Sequence, residues 1–562
     1  MLAVELKVAG RVVSDELSIV AVETLHRVDA VPKAWVSILD GEPAQESFEN
    51  SEIADFAPGA EVDIALGTAE DLRLVFSGVL TGLQISARGR QPGTVTLVLE
   101  GFAARLTRGK RSREFIDSSE TDALRTTLVD HGLSAHVDGL GTQATTLIQA
   151  HQTDWDFLRE RARDVGAVIL CSDRSVRIEQ PEFDAPVQTL RYGTNVDQVS
   201  LSMDAGAQPE RLEVVAWDYS AQQIRMLDAA EPMDAPLSTY DIPKAAKALE
   251  SGAQVLRMLR DADPDSLERR ASGRLRRLRL GYATGQIRLP GTATLAVGDT
   301  VALKGFGARF DGDAWISALR HEAEAGTWWT EIDLGLPQDA TPTAPQPGRP
   351  EGATGLQLAQ VLQTHGDPLA QNRLKIALPL SETSGTGIWV RLAAPYASKS
   401  AGQTFRPEVG DEVVVAFVEG DPNAVIVLGA LHSGPRSTPD TAAAGNLVKA
   451  LTTPSGLRLE MNDETGALSM ATPQGQVLSL SDDAQSVTLR DMNDNQISLS
   501  PNGIELTAAG DLTLGAKGKI TLKAGSALEM SASSSAALTA SGSLKLSASG
   551  TTTLKGAIVK IN

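Results

Sequence analysis

From Pro501 onward the chain falls into units of eight: PNGIELTA, AGDLTLGA, KGKITLKA, GSALEMSA, SSSAALTA, SGSLKLSA, SGTTTLKG and then AIVKIN. The fourth position reads Ile504, Leu512, Ile520, Leu528, Ala536, Leu544 and Thr552, and the sixth reads Leu506, Leu514, Leu522, Met530, Leu538, Leu546 and Leu554. Residues two apart on a strand point to one face, so each unit offers a short strand with a two-residue apolar stripe. The eighth position, Ala508, Ala516, Ala524, Ala532, Ala540, Ala548 and Gly556, is small enough for a tight corner. Units of this kind bury their stripe only by stacking on copies of themselves.

A lone ribbon with two apolar side chains per unit encloses nothing, because three faces are the fewest that can. Those faces come either from one chain coiling every three units or from three chains wound round one axis. With no capping unit expected beyond Asn562, the three-chain prism is favoured, since a single-chain solenoid normally needs a cap. A disordered Ala/Ser tail would have no reason to keep leucine in register.

The 562 residues leave room for roughly three to five domains, and an apolar content of 42% supports real cores. Aromatic residues make up only 4%, which suits a long β-rich rod better than a packed enzyme. A formal charge of −20 disfavours nucleic acid as a partner, because its backbone demands a basic footprint. The single cysteine, Cys171, excludes an internal disulfide framework and fits synthesis in a reducing compartment. Met1 to Lys7 alternates like a strand rather than opening a signal peptide, and no run reaches the roughly 18 apolar residues that span a bilayer. The expectation is synthesis in the cytoplasm, with export by a route that reads no N-terminal signal.

Residues 1–105 predict a β-barrel, with alternating runs such as Val62–Leu66 and Val95–Leu99 separated by Pro58-Gly59 and Pro92-Gly93. Residues 106–190 predict an α/β insertion, with one helix over Thr121–His131 and another opened by Thr153-Asp154-Trp155-Asp156 and closed at Gly166. A second barrel is expected over 191–337, interrupted by a helical region from Lys244 to Leu280. The arginines Arg269, Arg270, Arg274, Arg276, Arg277 and Arg279 read as a solvated helix face or a contact with an acidic neighbouring subunit. A linker over 338–353 precedes a small five-stranded barrel over 354–434. The needle takes 435–562, beginning with a looser repeat of about ten residues between Asn446 and Leu499.

Arg373 to Gly434 includes GIWVRLAAPYASKSAGQTFRPEVGDEVVVAFVEGDPNAVIVLGALHSG. It resembles the OB-fold signature of the valine-glycine repeat (VgrG) family of spikes from contractile injection machines. Pro395, Pro407, Gly410, Glu412, Phe417, Gly420, Asp421, Pro422 and Gly429 carry that likeness. Trp155-Asp156-Phe157-Leu158 with Gly166 resembles the family's hub helix, and Thr453-Pro454-Ser455-Gly456 its needle entrance. The opening, with Leu39-Asp40-Gly41-Glu42-Pro43 and Phe56-Ala57-Pro58-Gly59, looks closer to spikes of extracellular phage-tail-like particles than to the commonest type VI proteins.

The resemblance implies a mainly β fold with two hub barrels, α/β insertions, an OB-fold and an intertwined trimeric triangular β-helix. About a dozen strands stacked at about 4.7 Å give a needle of roughly 55 Å. It also implies a homotrimer that meets a hexameric inner tube protein of the Hcp type and sits among baseplate proteins. Ejection toward a target membrane, with effector cargo, belongs to the same expectation.

The expected function is structural and non-enzymatic, without cofactor or metal. Only Ser433 to Gly445 lies between the small barrel and the needle, too short for a catalytic domain. His321-Glu322-Ala323-Glu324-Ala325 starts like a zinc motif but has alanine at the second ligand position. Asp491-Met492-Asn493-Asp494-Asn495 starts like a calcium loop, yet Gln496 replaces the glycine and Asn502 the bidentate glutamate, so a corner is the better reading. His131, His136 and His151 read as surface or capping residues rather than ligands. All seven histidines precede Val448, so the needle cannot hold an iron through a His-x-His pair. Ile558, Val559, Ile561 and Asn562 should therefore present strand edges to a separate tip protein of the Pro-Ala-Ala-Arg (PAAR) repeat family. Two rivals stay open: an adhesive or polymer-degrading fibre, for which residues 446–562 offer no Trp, Tyr or Phe, and a single-chain solenoid scaffold.

Overall fold

The computed structural model describes residues 2–89, 91–219, 221–232, 241–258, 263–336, 355–378 and 386–561. The linker expected over 338–353 and the terminal Asn562 lie outside these residues. The chain forms two compact units, Met1–Ser437 and Thr438–Asn562.

Alternation of apolar and polar residues lays down the first half of unit one. Along Glu61–Thr68 the side chains of Val62, Ile64 and Leu66 are buried and their neighbours are not. Strands of residues 1–100 continue without a break into those of the segment after 198, in one 13-stranded sheet. The two barrel-like halves keep separate cores, one around Val36, Ile64 and Leu97 and the other around Ile287, Leu303 and Ile332. They meet where Ile19–Arg27 pairs antiparallel with Gly312–Glu324, in register from Ala21↔Glu324 to Arg27↔Ala318.

His321 sits in this seam opposite Thr24 and is 1% exposed. Trp328 Nε1 donates to His321 Nδ1 at 3.3 Å, and Thr330 Oγ1 lies 3.0 Å from the same nitrogen. A proton added at Nδ1 would face the indole N–H, a group that can only donate. Burial, reinforced by nearby His26, pushes the His321 pKa down to about 3. The zinc-like run that holds it is strand, not a metal helix.

The α/β insertion pairs Lys110–Ser118 with Thr145–Thr153 and carries helices α1, Glu120–Asp130, and α2, Asp154–Asp164. Ser119 and Thr153 cap them, their hydroxyls accepting from Asp122 N and Asp156 N, each at 3.0 Å. The expected helical region of 244–280 divides into α3, Ile242–Ala248, a strand over Ala253–Met258 and α4, Pro264–Leu280. The strand forms because Leu256 and Met258 pack under α4 in the same small core as Val214 and Ala216.

Three of the arginines of α4 do not lie on the expected solvated or intersubunit face, whereas Arg274 is exposed. Arg270, 4% exposed, binds Asp164 Oδ2 at 2.6 Å and Glu120 Oε1 at 3.3 Å, while Arg161 of α2 binds Glu160, Asp164 and Glu120. Arg277 reaches Asp29 Oδ2 at 2.8 Å, and Arg279 reaches Glu231 Oε1 at 2.5 Å. Arg270, Arg277 and Arg279 are thus paired with acids of their own chain.

Helices α2 and α4 come close enough for this because both contact points are glycine. A Cβ on Gly273 would stand 1.8 Å from the Val165 carbonyl oxygen, and one on Gly166, at φ +73°, would stand 2.2 Å from the Gly273 carbonyl oxygen.

Two measurements check these features. Gly273→Ala in a free helix would stabilise by up to about 1 kcal/mol, but here overpacking against backbone should destabilise by about 1–3 kcal/mol, read as a lower thermal midpoint. For His321, the folded pKa near 3 lies below the ordinary 6.5, so its stability contribution is full above pH 6.5 and falls away as pH drops toward 3. The unfolding free energy should decline through that window by about 1.4 kcal/mol per pH unit, with a shallower slope in His321→Gln.

Candidate spike and barrel elements

Five strands, Leu356–Gln363, Leu374–Ala377, Ile388–Leu392, Glu412–Phe417 and Val425–Leu431, close into a barrel. The first was not among the strands expected from sequence. Its core holds Val361, Ile376, Val390, Val415, Phe417 and Val427. The motif residues divide between loops and strands. Pro395 is exposed and Pro407 half-buried in the long loop, Glu412 opens a strand, and Phe417 is buried. Gly410 at φ +87° and Gly420 at φ +76° occupy the left-handed region that glycine adopts without strain.

Asp421, Pro422 and Asn423 form a tight turn after Gly420. Asn423 N donates to Asp421 Oδ1 at 2.9 Å, Ala424 N donates to Asp421 O at 3.0 Å, and Pro422 is buried. The turn aims Asn423 Oδ1 at the Ile148 amide, which donates to it at 2.9 Å. Ile148 and Ala150 belong to the hub strand Thr145–Thr153, yet their side chains complete the core of the small barrel. This seat was not expected from the sequence; its available signal was the apolar-polar-apolar run Ile148-Gln149-Ala150.

Gln149, between those two residues, faces the other way into a buried polar network. Its Nε2 donates to Asp154 Oδ1 at 2.8 Å, Arg113 Nη2 donates to the same oxygen at 2.8 Å, and His131 Nε2 lies 2.7 Å from Asp154 Oδ2. Burial alone would raise the Asp154 carboxyl, but His131, Gln149 and Arg113 outweigh it and hold the pKa below the ordinary value. His131 is the C-cap residue of α1, and His136 and His151 are exposed. Among the described residues no group of three His, Cys, Asp or Glu could hold a metal, and no helix is long and apolar enough to cross a membrane.

In unit two, seven strands from Val448–Thr452 to Gly503–Thr507 pair in sequence order as an antiparallel meander. The would-be calcium loop is one of its corners, with Asp491 Oδ1 accepting from Asn493 N at 2.8 Å and Asn495 N at 2.9 Å. Those bonds hold the Asp491 pKa down, the side-chain contribution of Asn495 being the largest.

Beyond Thr507 the short strands expected of each eight-residue unit are not formed within the chain. The backbone bends at 509–510, 517–518, 525–526, 533–534, 541–542 and 549–550, with six unbent residues between successive corners. Each bend follows directly on the small eighth residue. Within each six-residue stretch the two apolar side chains stand in solvent: Leu512 is 54% exposed, Leu522 63% and Met530 76%. Ile520, Leu514, Leu528, Leu538, Leu544, Leu546 and Leu554 are exposed likewise, as are Ile504 and Leu506 on the last strand of the meander. Ile558, Val559 and Ile561 are exposed as well. Strand hydrogen bonds here would need partners that a single ribbon cannot supply.

Asn423→Ala should leave the Ile148 amide unpaired at the barrel seat, at a cost of about 1–3 kcal/mol. Hydrogen exchange at Ile148 should then quicken while exchange within the meander of unit two stays unchanged.

Comparison with known proteins places these elements. Residues 1–325, more than half of the chain, match the family model described as the Alg8 N-terminal domain. Residues 357–432 match the type VI secretion system/phage-baseplate injector OB domain. The type VI secretion system spike protein VgrG1b of Pseudomonas aeruginosa is 22% identical over 424 residues, covering 68% of this chain and 55% of that protein. The spike protein VgrG3 of Vibrio cholerae is 29% identical over 136 residues, covering 22% of this chain and 13% of its own length. The chain thus spans about half the length of the first of these relatives, and far less of the second. Among solved structures, the half-lidded Francisella PdpA-VgrG complex matches 90% of this chain and 87% of its own at a TM-score of 0.55 and 10% identity, a likeness of fold. The lidless form of the PdpA-VgrG complex matches 90% of this chain and 98% of its own at a TM-score of 0.54 and 9% identity. The chain therefore belongs to the family defined by the Alg8 N-terminal domain, and over most of its length it resembles the VgrG spike proteins of type VI secretion systems.

Proposed function

We propose that three copies of this chain intertwine through the repeat after Thr507 into a triangular needle, which sheath contraction drives into a target envelope. The observation that carries this reading is the recurrence of bends every eight residues around paired apolar side chains that stand exposed in one chain. Three such ribbons supply three walls, and burying each large side chain is worth about 1.5–3 kcal/mol. Continuous strand hydrogen bonds and a dry aliphatic axis would give the rod its stiffness.

In this reading the hub meets a hexameric inner tube and baseplate proteins, and the chain is assembled into the baseplate after synthesis in the cytoplasm. Ile558, Val559 and Ile561 are the surface offered to a PAAR-type tip protein, and effector cargo travels with that tip or in the tube. The role is mechanical, with no reaction catalysed. A single-chain solenoid is disfavoured because coiling every three units would cover the stripe that stands exposed.

The purified chain, of 59.3 kDa, should therefore measure about three times that mass in solution. Leu522→Asp, which places three carboxylates near one axis, should abolish the trimer. A mutant trimer that still resists SDS would count against the needle, and turnover of peptidoglycan or polysaccharide would favour the polymer-degrading fibre.

A further inference from the structure

The charge of unit two reverses at Thr507. Residues 438–507 hold nine acids against three bases, Lys449, Arg458 and Arg490, a balance of −6. Residues 508–562 hold Lys517, Lys519, Lys523, Lys545, Lys555 and Lys560 against Asp511 and Glu529, a balance of +4 in a chain whose formal charge is −20. Two of the three upstream bases are paired, Lys449 with Asp463, and Arg458 with Asp440 at 2.9 Å and Glu460 at 2.8 Å. The six lysines of the repeat are exposed and hold no ion pair among the described residues. Even if Asp511 and Glu529 of neighbouring copies claimed one lysine each, four per chain would stay uncompensated.

The place of the lysines within the eight-residue unit adds an independent sign. Lys519 takes the third position, Lys545 the fifth, and Lys523 and Lys555 the seventh, while the large apolar residues take the fourth and sixth. Successive side chains of an extended chain point to opposite faces, so any packing that turns the apolar pair toward an axis turns these lysines outward.

We propose that the repeat beyond Thr507 binds an anionic phospholipid surface through these outward lysines. The proposal rests on the three-chain needle of the proposed function, whose axis repeats each lysine on every side of the rod. Positive charge on all sides suits a layer of headgroups that surrounds the rod, and does not suit a partner seated against one wall. Each lysine is a compact, hydrated point charge that is drawn to phosphate without a fixed geometry. A nucleic acid would call for aromatic platforms under its bases, and residues 508–562 contain no Trp, Tyr or Phe. The acidic meander does not cancel the attraction. At about 4.7 Å per stacked strand, Lys545, Lys555 and Lys560 lie roughly 24–33 Å beyond it. The Debye length at physiological salt is only about 8 Å.

Flotation of the full chain with lipid vesicles tests this, in trimers verified by mass. Wild-type trimer should float with vesicles of phosphatidylglycerol and phosphatidylcholine in equal parts, stay behind with pure phosphatidylcholine, and release as salt is raised. Combining Lys519→Gln, Lys523→Gln, Lys545→Gln and Lys555→Gln should keep the trimer and weaken the binding at least about ten-fold. Asp511→Asn with Glu529→Gln, which removes the two acids of the repeat, should strengthen it, and tests the same point should the lysine variant fail to assemble. A verified wild-type trimer that ignores the anionic vesicles would overturn this inference alone and leave the needle standing. Equal binding to both vesicles would assign the contact to apolar residues and overturn it likewise. Binding to duplex DNA as tight as to the anionic vesicles at the same salt would overturn the lipid assignment. A monomeric wild-type mass would overturn the needle and this inference together.

Discussion

An apolar side chain leaves water only if something closes over it, and in the last fifty residues of this chain nothing of its own can. Most units of the repeat carry two large apolar residues, the fourth position falling to Ala536 and Thr552 in two of them, and the chain bends after each eighth residue and leaves the large side chains in solvent. That unmet demand orders the molecule. Partners with the same period and the same corner spacing would meet it, and the three identical chains proposed above supply them. The antiparallel meander before it, with corners tied by Asp491 and Asn495, meets part of the same demand by pairing with itself.

Upstream, the hub strand Thr145–Thr153 serves two interiors. Ile148 and Ala150 complete the small barrel while Gln149, between them, helps fix the buried Asp154 carboxylate against Arg113. Strand alternation makes this possible, since successive side chains point to opposite faces. Disturbing either interior displaces the backbone that the other shares. The turn Asp421-Pro422-Asn423 gains its meaning here, as the peg that satisfies the Ile148 amide.

What was legible in the sequence was local. Period and turn chemistry marked the repeat, the strands Ile388–Leu392 and Glu412–Phe417, and the helix opened by Thr153, because each is decided within a few residues. What was not legible depended on distant partners. The arginines of α4 read as a surface because the acids they bind, Asp29, Glu120, Asp164 and Glu231, lie between 48 and 248 residues away. Ala253–Met258 read as helix because its strand character comes from pairing with Arg211–Asp218 and packing beneath α4. The seat of the small barrel was hidden for the same reason, its two halves being separated by 275 residues.

The unbroken sheet of the hub has a mechanical corollary. Ile19–Arg27 and Gly312–Glu324 are matched over seven consecutive residue pairs, so sliding one half of the hub past the other would have to rupture those hydrogen bonds together rather than peel them singly. Bonds loaded side by side share an applied shear, which makes the seam a lap joint rather than a zipper.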